Sequence, residues 1–402
     1  MSPLRGRRQA GFRWGRHALA GVAAATLLAG LTQAAGSGPP GRTTTPFALT
    51  AADLPVGAPA VVPFGTMKLG PAPAAYALRL DVALRPRDPA ALTRFALAVS
   101  TPGNHQYGRY LPRGRFAAVF GPTQATIDKV LAVLHADGFA TGAISSNHLI
   151  IPATATIARA ERALGTSLDR YRLASGRIAI ANTAAPKLPA SIAGAVQAII
   201  GLDTLSLPQP GGPAPGPAHP QRIHLKGRIA TGGPVACAAA RSAAASQGSW
   251  TENQLAQAYS LNTLYQRGDF GNGVTIALFE LTTYSAGDIA GFQKCYGTKT
   301  PITNIAVKGG TTSNAGAGEA ELDIEVVLGL DPKAHLLVYE AANGGTGTID
   351  EYTAIVGQDK AQVMSSSWGV CEAFLGSSAA AAENTVLEQA AAQGQSMVSI
   401  PG

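Results

Sequence analysis

The 402 residues suffice for two or three domains at roughly 150 residues each, and 46% hydrophobic with 14% charged content excludes intrinsic disorder as a description of the whole. Net charge is +7 but unevenly spread: residues 1–35 hold five basic residues and no acid, residues 36–249 hold 20 basic and 8 acidic, and residues 250–402 hold 6 basic and 16 acidic. The basic residues are scattered, without a basic helix or aromatic alternation, which argues against a nucleic-acid partner; the two opposed segments read instead as partners for each other.

Residues 1–35 place five arginines before the apolar stretch Ala18–Leu31 and the small residues Thr32, Ala34 and Ala35. That order is a secretory signal peptide, which predicts an exported, extracellular protein. No later apolar run approaches the ~18–20 residues of a membrane span, so no membrane partner is expected after signal removal. Residues 36–70, rich in Gly, Pro, Thr and Ala, read as a flexible leader.

From Tyr76 to Val82 the residues alternate like a half-buried strand. Asp88 then offers an N-cap with Pro89 at the first helical position, and Leu92, Phe95, Ala96 and Val99 share one helix face. A second helix follows Pro122 and stops at Gly138. Leu149–Ile151 reads as a strand, Ile157–Leu164 as a short helix, and Arg170–Asn182 as a hairpin turning at Ser175-Gly176. Residues 71–207 are therefore an α+β domain. In residues 208–249 six prolines between 208 and 220 interrupt both helix and sheet, which predicts an extended linker open to proteolysis.

Residues 250–402 alternate strand and helix. Strands are expected at 274–280, 302–307, 334–340, 362–366 and 396–400, with helices near 288–295, 318–329, 349–360 and 379–393 between them. Near-continuous apolar strands in βα repeats predict a parallel sheet with both faces covered. Functional sites in such sheets lie outside the carboxyl ends of the strands, where Glu280 and Trp368 fall.

Cys237, Cys295 and Cys371 are not spaced as metal ligands, so no metal site is assigned. Cys295 and Cys371 lie near ends of predicted elements in the acidic segment and are paired as the expected disulfide, leaving Cys237 alone. The helix at Gly318-Glu-Ala-Glu-Leu-Asp-Ile-Glu325 carries four carboxylates in seven residues. Glu319 and Asp323 share one face, Glu321 and Glu325 another, and spacing does not choose between them. Of seven histidines only His335 lies in the acidic segment, inside a predicted strand, so a Ser-His-Asp arrangement has little support.

The same helix resembles that of the sedolisins, serine-carboxyl peptidases with a subtilisin-like fold, and Ser366-Ser-Trp-Gly369 resembles their strand-end Ser-Trp-Gly. Ser100-Thr-Pro-Gly-Asn-His-Gln-Tyr-Gly-Arg-Tyr-Leu111 and Phe120-Gly-Pro122 resemble the activation domain of pro-kumamolisin type. The implied architecture is an α+β activation domain followed by the N-terminal part of an α/β subtilisin-like domain with a parallel sheet. The resemblance implies that Glu319 is the general base for a serine, that Asp323 orients it, and that Glu280 and Trp368 extend the network, with Glu321 and Glu325 left as helix surface. Read alone, Trp368 is a buried aromatic and Glu280 a solvated strand-end acid.

The family's Ser-Gly-Thr-Ser nucleophile motif is absent; Gly165-Thr-Ser167, in the basic domain, lacks the leading serine. The family's oxyanion aspartate follows a strand like Met397-Val-Ser-Ile-Pro-Gly402, where the sequence stops, and its calcium ligands are expected beyond Gly402, so this chain supplies no cofactor site. The expected function is a secreted zymogen of an acid-acting peptidase acting on peptide or protein substrates, here with a partial catalytic domain and no nucleophile, and therefore inactive. The alternative is a non-catalytic inhibitor or folding helper for a full-length peptidase. A carboxylate-pair glycosidase has only the acid pair in its favour. The charge division suggests that acid, by protonating carboxylates, loosens the activation domain.

Overall fold

The computed structural model describes residues 53–211 and 230–400. The signal-peptide expectation, and most of the Pro/Gly-rich segment, lie outside them. In the first part β1 (Asp53–Pro55), β2 (Met67–Pro71) and β3 (Ala77–Leu84) precede α1 (Pro89–Ser100). Asp88 caps α1 by accepting the Ala91 N–H at 2.9 Å. The short α2 (Phe116–Val119) leads to α3 (Gln124–Ala136), which Thr123 caps through the Thr126 N–H. Then come β4 (Ala140–Thr141), β5 (Ile150–Thr156), α4 (Ile157–Leu164), β6 (Leu168–Arg172), β7 (Ile178–Asn182), β8 (Lys187–Pro189), α5 (Ala190–Ala193) and β9 (Val196–Ile200).

These strands form three antiparallel sheets, ordered β4-β5-β3-β9, β2-β6-β7 and β1-β8. Alternate residues Leu78, Leu80 and Val82 of β3 turn inward onto Ile127, Val130 and Leu134 of α3, closing one apolar core. The leader expectation for 36–70 is corrected at its end. Asp53 pairs with Pro189 and Met67 with Arg172, so β1 and β2 are built into sheets whose partners lie over a hundred residues downstream.

β10 (Gln209–Pro210) begins the connection to the second part, and α6 (Ala238–Gln247), α7 (Glu252–Ala258) and α8 (Asn262–Tyr265) follow the undescribed segment. The linker expectation for 208–249 is thus also corrected, because 238–247 is an alanine-rich helix. The strand–helix alternation then runs β11 (Thr275–Glu280), α9 (Ala286–Tyr296), β12 (Ile302–Ala306), α10 (Ala317–Leu330), β13 (His335–Glu340), α11 (Gly347–Gln358), β14 (Val363–Ser366), β15 (Trp368–Gly369), α12 (Glu372–Leu375), α13 (Ser377–Gln393) and β16 (Ser396–Ser399). Five strands make the expected parallel sheet, ordered β12-β13-β11-β14-β16.

Both sheet faces are covered, which is why β11 and β13 are apolar through their middles, with polar residues only at their ends. Ile276 and Leu278 meet Ile289 of α9 and Ile324 and Leu328 of α10, while Ala277 and Phe279 meet Ile355 and Val356 of α11. The second layer continues into the first part: Leu92, Phe116 and Phe120 belong to the same apolar cluster as Val386 and Ala390 of α13. Hydrogen bonds seal this contact, including Leu111 N–H to Ala392 O at 2.8 Å and Asn147 Nδ2 to Gln389 Oε1 at 2.8 Å. Tyr110 packs on Gly394, where φ is +82° and a Cβ would lie 2.6 Å from its ring.

Candidate active site

Glu280 is the last residue of β11, and Ser366 ends β14 beside it. α10 starts at Gly316 (φ +98°), where a Cβ would stand 2.8 Å from Cη2 of Trp368, so glycine lets the indole close over the helix start. α10 buries Ala320, Ile324 and Leu328 against the sheet. This turns Glu319 and Asp323, both half-buried, toward the strand ends.

The four residues singled out in the sequence gather here. Trp368 Nε1 donates to Glu280 Oε2 at 2.9 Å, and both side chains are buried. Burial pushes the Glu280 carboxyl up to about 8; the charges of Asp323 and Glu319 push the same way, against the pull of the indole hydrogen bond. Glu280 Oε1 and Asp323 Oδ2 are both buried without another partner, and a proton held on Glu280 is what would join them. Asp323 also accepts the Ser367 hydroxyl at 2.9 Å. Its own carboxyl is raised by burial, against the pull of Ser367 and Glu280. Glu319 is raised by burial and then by the Asp323 charge, while the Ser367 hydroxyl favours its ionised form.

Two members escaped the sequence analysis. Ser367 lies between the two helix carboxylates, and its place within Ser366-Ser-Trp-Gly369 was the available signal. Glu351 of α11 is fully buried, and its Oε1 accepts the Glu280 backbone N–H at 2.7 Å, anchoring the end of β11. Its carboxyl is raised well above the usual range, chiefly by burial. An acid four residues before Ile355, on the apolar face of a helix, was its signal.

The other acid pair is not open helix surface, which corrects that expectation. Glu321 accepts the Ser285 N–H at 2.9 Å and ties α10 to the start of α9. Glu325 is half-buried, raised by burial and by the charges of Glu321 and Asp288. The His335 ring hydrogen-bonds Thr303 of the neighbouring strand, Nε2 to Oγ1 at 3.0 Å. The disulfide expectation is overturned: Cys237 bonds Cys295, with Cα atoms 5.0 Å apart, and Cys371 is free and exposed.

The segment leaving the activation domain lies directly on this site. β10 pairs antiparallel with β15, Gln209 opposite Gly369 and Pro210 opposite Trp368, and Gly211 N–H donates to Ser367 O at 2.6 Å. Among the described residues no three or more His, Cys, Asp or Glu are arranged to hold a metal ion, and no helix is long and apolar enough to cross a membrane.

Fold and site together define a two-part protein, an α+β domain docked on a parallel-sheet α/β domain with a buried carboxylate cluster at its strand ends. Residues 65–205 match the family model for the pro-kumamolisin activation domain. Xanthomonalisin from Xanthomonas sp. (strain T-22) is 29% identical over 337 residues, 80% of this chain and 38% of that protein. Sedolisin from Pseudomonas sp. (strain 101) is 30% identical over 322 residues, 78% of this chain and 52% of that protein. Kumamolisin from Bacillus sp. (strain MN-32) is 31% identical over 225 residues, 54% of this chain and 37% of that protein. The chain spans between about a third and a half of the length of these curated relatives. Residues 65–205 thus match an activation domain of pro-kumamolisin type, and the chain is similar over most of its length to peptidases of the sedolisin family.

Proposed function

We propose that these residues are the activation domain and the carboxylate-bearing part of the catalytic domain of an exported zymogen, an acid-acting serine-carboxyl peptidase that cleaves peptide or protein substrates through an acyl-enzyme. The observation that carries this reading is the gathering of Trp368, Glu280, Asp323 and Ser367 at the strand ends, joined by the Trp368–Glu280 and Ser367–Asp323 hydrogen bonds, with Glu319 one helical turn from Asp323. Glu319 is the half-exposed member of the group and the one placed to take a proton from a serine. Asp323, held by the Ser367 hydroxyl, orients it, and the neutral Glu280 spares the buried site a third charge. A carboxyl raised by burial is a stronger base than an ordinary one.

No Ser-Gly-Thr-Ser sequence occurs in the 402 residues. Gly165, in the one Gly-Thr-Ser, closes α4 at φ +58° in the activation domain. A polypeptide of these residues is expected to hold a peptide without cutting it. Among the described residues no cluster of three or more His, Cys, Asp or Glu is arranged to hold the calcium that the family resemblance implies. The docked β10 strand also fits the alternative of an inhibitor of a separate peptidase.

In a catalytically complete protein carrying these residues, Glu319→Gln is expected to slow hydrolysis of a protein substrate at about pH 4 by roughly 10³-fold. Glu321→Gln, on the other helix face, is expected to stay within about threefold of the parent. Equal losses in both variants would remove Glu319 from the base role. A complete protein that cleaves nothing, while the chain inhibits another sedolisin, would favour the inhibitor reading.

A further inference from the structure

The activation domain does not fit flush against the α/β part. Between the loop after β4 and strand β5 on one side, and β12 and α11 on the other, lies a cavity of about 300 Å³. Ile144 and Pro152 line it from the activation domain, Ile305 and Ala354 from the α/β part, so it exists only while the two are docked. One seam of the contact beside it is closed by Ser146 Oγ, which donates to Gly357 O at 3.3 Å, and a Cβ at Gly357 would come within 2.8 Å of that hydroxyl.

Two polar groups on the cavity wall lack partners. Thr353 is buried in α11, yet its hydroxyl makes no hydrogen bond, not even to the carbonyl one turn back that a helical threonine ordinarily uses. Lys308 follows β12 at φ +51°, a left-handed backbone that costs a lysine energy to adopt. Its Nζ stops 3.9 Å from Asp350 Oδ1, beyond hydrogen-bond reach, and its side chain is half exposed. Asp350 is already served by the Thr346 hydroxyl at 2.8 Å and faces Asp81. With a proton between these two acids the pair carries one negative charge against the two positive charges of Lys308 and Arg79, an excess that favours an anion.

We propose that this cavity binds a small monocarboxylic acid, its carboxylate on the Lys308 ammonium and the Thr353 hydroxyl, its apolar body among Ile144, Ile150, Ile305 and Ala354. Ammonium and hydroxyl both donate, which suits a carboxylate and not an amine. The volume lies at the lower end of the range for small-molecule pockets, which limits the body to a short chain or a single ring. Because both parts build the cavity, the ligand binds only the docked form and holds the activation domain in place by mass action. None of the strand-end carboxylates takes part, so the site stands apart from the peptidase reading.

The test is calorimetric titration of the 402-residue chain with sodium hexanoate at about pH 6, where the ligand is ionised. A dissociation constant on the order of 1 mM or tighter is expected, with hexylammonium at least about tenfold weaker. Lys308→Met, which keeps the apolar stem and removes the charge, is expected to weaken hexanoate about tenfold or more while hexanol stays within about threefold. Ala354→Phe, which fills the cavity, is expected to abolish binding of both. Urea midpoints show whether that variant folds, and Ile144→Phe, filling the space from the opposite wall, takes its place where it does not. No heat beyond dilution, the result for a cavity that holds water only, would overturn the proposal, as would equal hexanoate affinity in the parent and Lys308→Met.

Discussion

Raising the pH from about 5 to 9 is expected to destabilise this protein, and Asp81→Asn to remove a large share of that loss. Asp81 of β3 and Asp350 of α11 are buried carboxyls brought together where the activation domain meets the α/β part. Asp81 Oδ2 is buried without another partner, and a proton held between the two acids is what would satisfy it. Asp350 also accepts the Thr346 hydroxyl at 2.8 Å and lies 3.9 Å from Lys308 Nζ, with Arg79 acting on it from β3. Burial, then the Asp350 charge, pushes Asp81 up to about 8 against the pull of Lys308. An unfolded chain releases that proton near 3.9, so between those values the folded state binds more protons and stability falls as pH rises. Glu280, Glu252 and Glu383, also raised by burial, act in the same direction. The loss through Asp81 is on the order of a few kcal/mol, or roughly 10 °C in Tm. Denaturant midpoints of parent and Asp81→Asn at the two pH values check this; stability that rises with pH, or an unchanged slope in Asp81→Asn, would refute it.

This pair bears on how the activation domain is held. The three salt bridges among the described residues, Lys68–Asp169, Arg267–Asp269 and Lys308–Asp350, each lie within one part. The two segments thus meet through apolar packing and through hydrogen bonds, among them those from the Arg113 guanidinium to Gln358 O at 2.9 and 3.1 Å. Among the described residues no ion pair within 4.0 Å crosses the contact, and the opposite charges that face each other there, Arg79 with Asp350 and Arg113 with Asp359, act at longer range.

Cys237→Ser is expected to cost about 2–4 kcal/mol and Cys371→Ser less than about 0.5 kcal/mol. The disulfide joins the cap of α6 to the last turn of α9 across 58 residues, a loop long enough for its closure entropy to matter. Urea midpoints of the two variants separate them. A large loss in Cys371→Ser would restore the Cys295–Cys371 pairing, and a negligible loss in Cys237→Ser would remove the cross-link from the stability of the fold.

The sequence was most legible where one local pattern determined an element. The continuous apolar runs of β11 and β13, the Asp88 cap with Pro89, and the long helices α10 and α13 came within a few residues of their ends, because burial and capping are written into adjacent positions. β1 and β2 were missed because short, exposed strands acquire meaning only from distant partners, as Asp53 does from Pro189. α6 was hidden by its prolines' neighbourhood, and with it the only local hint that Cys237 sits on an ordered element. In the site, Glu319/Asp323 and Glu321/Glu325 have identical spacing, and only the seating of α10 on the sheet decides which pair meets the Ser367–Trp368 strand. Glu351 read as an ordinary helix acid until its burial under Glu280 was visible.

The central claim, that Trp368, Glu280 and Asp323 form one hydrogen-bonded unit around a retained proton, is tested most directly by following the Glu280 carboxyl with pH by ¹³C NMR. The protein is predicted to show it titrating near 8, rising further in Trp368→Phe, which removes the hydrogen bond favouring its charged form. Titration at the ordinary 4.5, unmoved by Trp368→Phe, would contradict the account.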